Sequence, residues 1–145
     1  MSRAKLSARV FATDCTGAAA LEFAILSPLF ILLVCGMMAY AIYFGAAHSV
    51  QQLAADAART SIAGLSTAER NSLVGQFINN NASGYIFIDR TGLTYRIAPR
   101  ANDANEYSVT LNYDASTLPI WNLYPPLPLP SHTITYSSLI RLGGL

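Results

Sequence analysis

Glu22 is the residue of this sequence whose position most needs a chemical explanation. It is the last charged residue before a stretch from Phe23 to Ala47 that carries no charge. A carboxylate at the mouth of a membrane span is costly unless a cation pairs with it. Cleavage after Gly17 would place an ammonium group on Ala18, one helical turn before Glu22, in the same chain or in a neighbouring one. The spacing therefore indicates a processing site at Gly17–Ala18.

The same residues have a simpler interpretation, in which Gly17 is incidental and Glu22 merely reaches the membrane surface. Glycine before a cut lets the backbone enter a protease in extended form, because glycine has no side chain to clash. A short basic leader precedes these residues, and its cations are Arg3, Lys5 and Arg9. The order of leader, glycine, glutamate and span favours processing over an ordinary uncleaved anchor.

The rest of the sequence offers no competing chemistry. His48 and His132 each stand alone, and Cys15 and Cys35 would lie roughly 30 Å apart on a helix, beyond disulfide reach. No metal-ligand spacing, phosphate-binding glycine loop or basic aromatic patch occurs, and the net charge is +1. We therefore expect no catalytic residue, no cofactor, no metal and no nucleic acid partner, and we expect that the protein is not an enzyme.

One long helix is predicted from residue 18 to residue 64, with a transmembrane span at about residues 23–47. About 25 helical residues extend roughly 37 Å, which exceeds a hydrocarbon core of about 30 Å. Pro28 is expected to kink this span. The basic leader, residues 1–17, places the N-terminus in the cytoplasm and the C-terminal part outside.

The exported part, residues 65–145, is predicted to contain a second helix and a small antiparallel sheet. Ser66 and Glu69 have the spacing of a capping box at the start of that helix. Alternating apolar and polar residues then predict about four strands, which include a hairpin around Gly92. The fold class is α+β, and the segments expected as strands are Tyr85–Asp89, Leu93–Ile97, Glu106–Tyr113 and Thr133–Ile140.

Two predicted surfaces, one on the long helix and one on a loop, each have two possible interpretations. The small residues along the long helix, Gly36 and Gly45 among them, fit contacts with partner helices or simply the low-volume side of a membrane helix. The loop Trp121–Pro130 fits a partner-binding surface or a flap over the core. The flap is favoured, because so small a sheet needs apolar cover.

The N-terminal pattern resembles a known family. Gly17, Glu22 and Phe23, followed by Ala-Ile-Leu-Ser and then Pro28, resemble the TadE-like proteins of the tight-adherence (Tad) pilus system, which are pseudopilins related to type IV pilins. The resemblance is close from Gly17 to Leu29 and general elsewhere. It does not distinguish TadE-like proteins from the related TadF-like proteins. It implies cleavage at Gly17–Ala18 by a membrane prepilin peptidase, with Glu22 and Phe23 recognised during processing and assembly.

The function implied by the resemblance is that of a pseudopilin or minor pilin, a priming or tip subunit in Tad pilus assembly. The protein would cross the bacterial inner membrane once. Its partners would be the prepilin peptidase, sibling pilins or pseudopilins, and inner-membrane assembly proteins. The alternative is a signal-anchored, uncleaved periplasmic binding or interaction module, with the loop Trp121–Pro130 as its ligand surface.

Replacement of Glu22 by alanine tests the pairing of charges. We expect Glu22→Ala to insert in the membrane normally but to fail to enter a pilus, because the Ala18 ammonium group then lacks its partner. Stranding one member of a buried ion pair costs roughly 3–5 kcal/mol. The measurement is the amount of the subunit in membrane and sheared-pilus fractions, and normal pili in the variant would contradict the pairing.

Overall fold

A computed structural model of the chain describes residues 16–100, 103–123 and 128–141. The expected α+β class, a long N-terminal helix with a small antiparallel sheet, is confirmed. Most of the basic leader, residues 1–15, lies outside the described residues. The helices and strands of the described part are α1 (Thr16–Ser61), α2 (Thr67–Asn81), β1 (Leu93–Arg100), β2 (Asp103–Asp114) and β3 (Thr133–Arg141).

Helix α1 is 46 residues long and contains Pro28. It ends at Ser61, three residues before Gly64, where a turn closes with the Gly64 amide donating to the Ser61 carbonyl at 3.1 Å. The chain divides into two compact units, Met1–Met37 and Met38–Leu145, so the boundary falls inside this helix. In the first unit α1 is apolar around its circumference, whereas in the second unit it is amphipathic.

The second unit has its core on one face of α1. The residues on this face are buried, and most of them are alanines, which belong to the same core cluster as the buried residues of the sheet. This small-residue face is therefore packed within the chain itself between residues 46 and 58. The buried apolar residues on this stretch of α1 are Ala46, Ala47, Val50, Leu53, Ala54, Ala57 and Ala58.

Helix α2 begins at the predicted cap. The Ser66 hydroxyl accepts a hydrogen bond from the Glu69 amide at 3.2 Å, and a Glu69 carboxylate oxygen accepts one from the Leu65 amide at 2.8 Å. Both amides would otherwise lack a partner at the start of a helix. Val74 and Ile78, one turn apart, are fully buried and join the core of the second unit.

The sheet has the order β1-β2-β3, and both pairs of strands are antiparallel. Its buried face follows the alternation predicted for the middle strand, in which Val109, Leu111 and Tyr113 are buried. The register places Val109 opposite Ile97 of β1, and Tyr113 opposite Ile134 of β3. Consecutive strands are neighbours, so the sheet is a simple meander.

The prediction of about four strands is wrong, since the described part contains three. Tyr85–Asp89 is not a strand but a turn, in which the Ile88 amide donates to the Tyr85 carbonyl at 3.3 Å. The hydroxyl of the buried Tyr113 donates to the Phe87 carbonyl at 3.0 Å and accepts from the Asp89 amide at 3.3 Å. A side chain from β2 thus pairs with backbone groups that a neighbouring strand would have used.

The loop after β2 covers the core, as favoured from the sequence. Trp121, Leu123 and Leu129 of the predicted flap pack against the core, and the Trp121 indole nitrogen donates to the Ala115 carbonyl at 2.6 Å. The Trp121 ring stacks on His132 at 3.8 Å between ring centroids. Residues 124–127 of this loop lie outside the described part. The described part of the loop is therefore a flap over the core.

Removal of the Tyr113 hydroxyl should destabilise the second unit. Tyr113→Phe leaves the Phe87 carbonyl and the Asp89 amide without this partner, and we expect a loss of about 1–3 kcal/mol in the free energy of unfolding. The measurement is denaturant unfolding of the full chain in micelles, followed by near-ultraviolet circular dichroism. Tyr136→Phe is the control, because Tyr136 also packs against the core and its hydroxyl has no hydrogen bond in the described part. Equal losses in the two variants would contradict the assignment.

Candidate functional site: the exposed half of helix α1

The candidate site is the part of α1 that precedes residue 38. Its most apolar 18-residue window has a mean hydropathy of 2.3, and none of that window is buried. Glu22 is exposed, and Phe23 has 73% of its surface exposed. No hydrogen bond or ion pair joins Glu22 to another residue within the described ranges. The carboxylate that the sequence singled out therefore has no partner among them.

Gly17 and Ala18 both lie in the first turn of α1. A Cβ atom added at Gly17 would meet no heavy atom within 4 Å. The absence of a side chain at this position is therefore not required by packing in the described part. Cleavage between Gly17 and Ala18, and recognition of Glu22 and Phe23, stay predictions.

By length and composition, α1 could cross a membrane, and it is the one such helix in the part of the chain that the structure describes. The helix fits a single-pass anchor. The cytoplasmic position of the N-terminus stays a prediction, and so does the kink at Pro28.

Elsewhere in the described part of the chain, the candidate ligand side chains do not gather into a site. Among the described residues, no group of three or more histidine, cysteine, aspartate or glutamate side chains is placed to hold a metal ion. His48 is exposed, and one of its ring nitrogens lies 3.1 Å from the Gln52 amide nitrogen. Cys35 is a free thiol on α1.

Residues 17–59 match the sequence model of a family described as TadE-like protein. The match confirms, over these residues, the resemblance that the N-terminal pattern indicated. The TadE-like segment begins at Gly17, includes Glu22 and Pro28, and ends two residues before the end of α1. It points to involvement in the Tad pilus system. No curated protein and no solved structure matches the chain.

The TadE-like segment contains one polar cluster that the sequence did not reveal. The Tyr85 hydroxyl donates to one Asp56 carboxylate oxygen at 2.7 Å, and Arg59 donates to the other. This cluster joins the end of α1 to the turn before β1. Burial, and then the hydrogen bond to the Asp56 carboxylate, raise the pKa of Tyr85 to about 12. A contact across 29 residues leaves no signal in local sequence patterns.

Sequence reasoning also missed a buried cation. Arg70 of α2 is only 6% exposed, and its guanidinium lies 4.5 Å from the centroid of the Tyr107 ring. The chain turns tightly here, since a Cβ atom on Gly64 would lie 2.8 Å from the Arg70 amide nitrogen. Stacking on an aromatic face partly compensates for the lost hydration of the cation. Arginine in the first turn of an amphipathic helix is usually exposed, so the sequence pattern does not predict that Arg70 is buried.

The raised pKa of Tyr85 predicts how stability depends on alkaline pH. Because the folded pKa lies above the ordinary tyrosine value of 10.0, the contribution of Tyr85 is fully present below pH 10. It is lost as the pH rises through about 12. Tyr85→Phe should therefore lower the melting temperature at pH 8 and flatten its fall above pH 10. The measurement is thermal unfolding of the full chain in micelles, and parallel alkaline profiles for the two proteins would contradict the role of the hydroxyl.

Proposed function

We propose that this protein is a pseudopilin or minor pilin, a priming or tip subunit that takes part in Tad pilus assembly. The observation that carries the proposal is the first half of α1, which is apolar around its circumference and exposed. A membrane can cover such a surface, and so can the helices of sibling subunits. Glu22 lies on this surface without a partner among the described residues, which favours a partner from another chain.

In the proposed mechanism, a membrane prepilin peptidase cuts the chain between Gly17 and Ala18. The new ammonium group lies near the start of α1 and within about one turn of Glu22. In a bundle of subunits, the ammonium group of one chain pairs with the Glu22 carboxylate of the next. The lost pairing in a shifted arrangement would cost several kcal/mol, so the pair fixes the axial register of neighbouring helices.

The second unit would face the outside and determine which sibling subunits fit beside it. Its sheet has two edge strands, β1 and β3, in the described part. The protein would serve as the substrate of the peptidase rather than as an enzyme. Its other partners would be sibling pilins or pseudopilins and the inner-membrane assembly proteins.

The N-terminus of the protein in its native membrane tests the proposal. We expect a chain purified from membranes to begin at Ala18, as determined by mass spectrometry of the N-terminal peptide. A chain that retains its leader would favour the uncleaved, signal-anchored binding module instead.

Gly17→Val tests whether cleavage requires glycine at this position. A side chain there meets nothing in the described part, so the variant should fold normally. We expect it to block cleavage while membrane insertion and folding are unchanged. Gly84→Val is the control, because a Cβ atom at Gly84 also meets nothing within 4 Å. The control should be cleaved normally. Cleavage of both variants at the same rate would contradict recognition of the glycine.

A further inference from the structure

The two edge strands of the sheet differ in how well they are protected against pairing with another strand. An edge strand exposes unpaired backbone groups, and proteins block such an edge with charged residues, proline or a bulge. Strand β1 has all three. Arg96 and Arg100 carry charge, Pro99 has no amide hydrogen to donate, and the register with β2 shifts between Pro99 and Arg100. The β1 edge is therefore poorly suited to accept a strand.

Strand β3 has none of these protective features before its last residue. Residues 133–140 include no charged residue and no proline, and most of them are β-branched or aromatic, which are the types that favour strands. The register between β2 and β3 runs without a shift. Within the described ranges, no hydrogen bond joins the backbone of residues 134–140 to anything except β2. Alternate residues of an antiparallel edge strand direct their backbone groups away from the sheet, so this edge can accept another strand.

A groove of about 350 Å³ opens between the C-terminal end of β3 and the end of α1. The small side chains of Ala55 and Ala58 line it on the helix side, together with Ile62, which is 51% exposed. Four consecutive residues of β3, from Ser138 to Arg141, line the other side. Because side chains alternate between the two faces of a strand, a groove lined by consecutive residues runs along the edge of the strand. A strand added to β3 would therefore place a side chain in this groove.

The charged residues that line the groove are both cationic. Arg59 and Arg141 line it, and within the described ranges no acidic residue does. Asp56 lies nearby and offsets part of this charge through its ion pair with Arg59. Both arginines are exposed, so a carboxylate on an incoming segment could reach them. The charge of the groove thus favours an acidic segment.

We propose that β3 accepts an extended segment of a partner protein as a further strand of the sheet. The segment has a large apolar side chain that enters the groove and a nearby acidic residue that meets Arg59 or Arg141. Backbone hydrogen bonds along β3 provide affinity, and the groove and its arginines provide selectivity. The proposal requires neither the membrane span nor cleavage at Gly17.

A second copy of the chain, paired through its own β3, is the competing occupant. The charges disfavour it, because β3 contains no acidic residue to bring to the arginines. The two occupants also differ in concentration dependence, since self-pairing needs only the chain itself.

A synthetic peptide with the sequence of β2, residues 106–114, is a suitable probe. It alternates apolar and polar residues, Glu106 and Asp114 give it acidic ends, and the same sequence already pairs with β3 inside the chain. A control peptide has lysine at both ends. Each peptide is added to the full chain in micelles, and amide hydrogen exchange is followed by nuclear magnetic resonance. We expect the acidic peptide to slow the exchange of alternate β3 amides several-fold without affecting β1, and the lysine peptide to bind several-fold more weakly.

Ala55→Phe and Ala98→Phe are matched variants for the groove. Each enlarges a half-buried alanine, one in the groove and the other on β1. Circular dichroism verifies that both variants fold. We expect Ala55→Phe to weaken binding of the acidic peptide several-fold and Ala98→Phe to leave it unchanged.

Three results would overturn the proposal. The first is equal binding of the acidic peptide by the two variants, and the second is equal binding of the acidic and lysine peptides by the unsubstituted chain. The third is slow exchange of alternate β3 amides without peptide that appears only as the protein concentration rises. That result would assign the edge to a second copy of the chain.

Discussion

Helix α1 has two different surroundings along one continuous backbone: its first half is exposed and apolar, and its second half packs in a protein core. From Phe23 to Met37 its side chains carry no charge and most of them are exposed, which suits lipid or other apolar helices as surroundings. From Met38 onward one face of the same helix contributes to the core of the second unit. The core includes buried residues of α1 together with those of one face of the sheet. The one described helix that could cross a membrane therefore also contributes to the core of the second unit.

The small size of the sheet explains why α1 changes composition near Ala46. Three strands and a 15-residue helix provide limited apolar area, so close packing must compensate for size. Alanines supply much of the buried surface that α1 contributes to this core. The same small residues in a membrane span would serve equally well for contacts between helices. The structural role of these small residues therefore depends on which part of α1 they occupy.

The turn from Tyr85 to Asp89 illustrates a conflict between local pattern and tertiary contact. Its residues, Tyr-Ile-Phe-Ile, have high strand propensity and precede a real strand. Asp89 instead accepts from the Thr91 amide at 2.9 Å and starts a short turn, while the Tyr113 hydroxyl pairs with the backbone on both sides. The strand pairing is replaced, and two apolar side chains remain exposed.

The sequence by itself determined the helical span, the lone Glu22, the cap of α2 and the alternation along β2 and β3. Each of these is a local or periodic property, and lipid or backbone geometry imposes the same pattern in any context. Only the tertiary structure decided the number of strands, the burial of the alanines of α1 in the core, the link between Asp56 and Tyr85, and the burial of Arg70. These depend on residues far apart in the chain, whose contacts become favourable only once the core has brought them together.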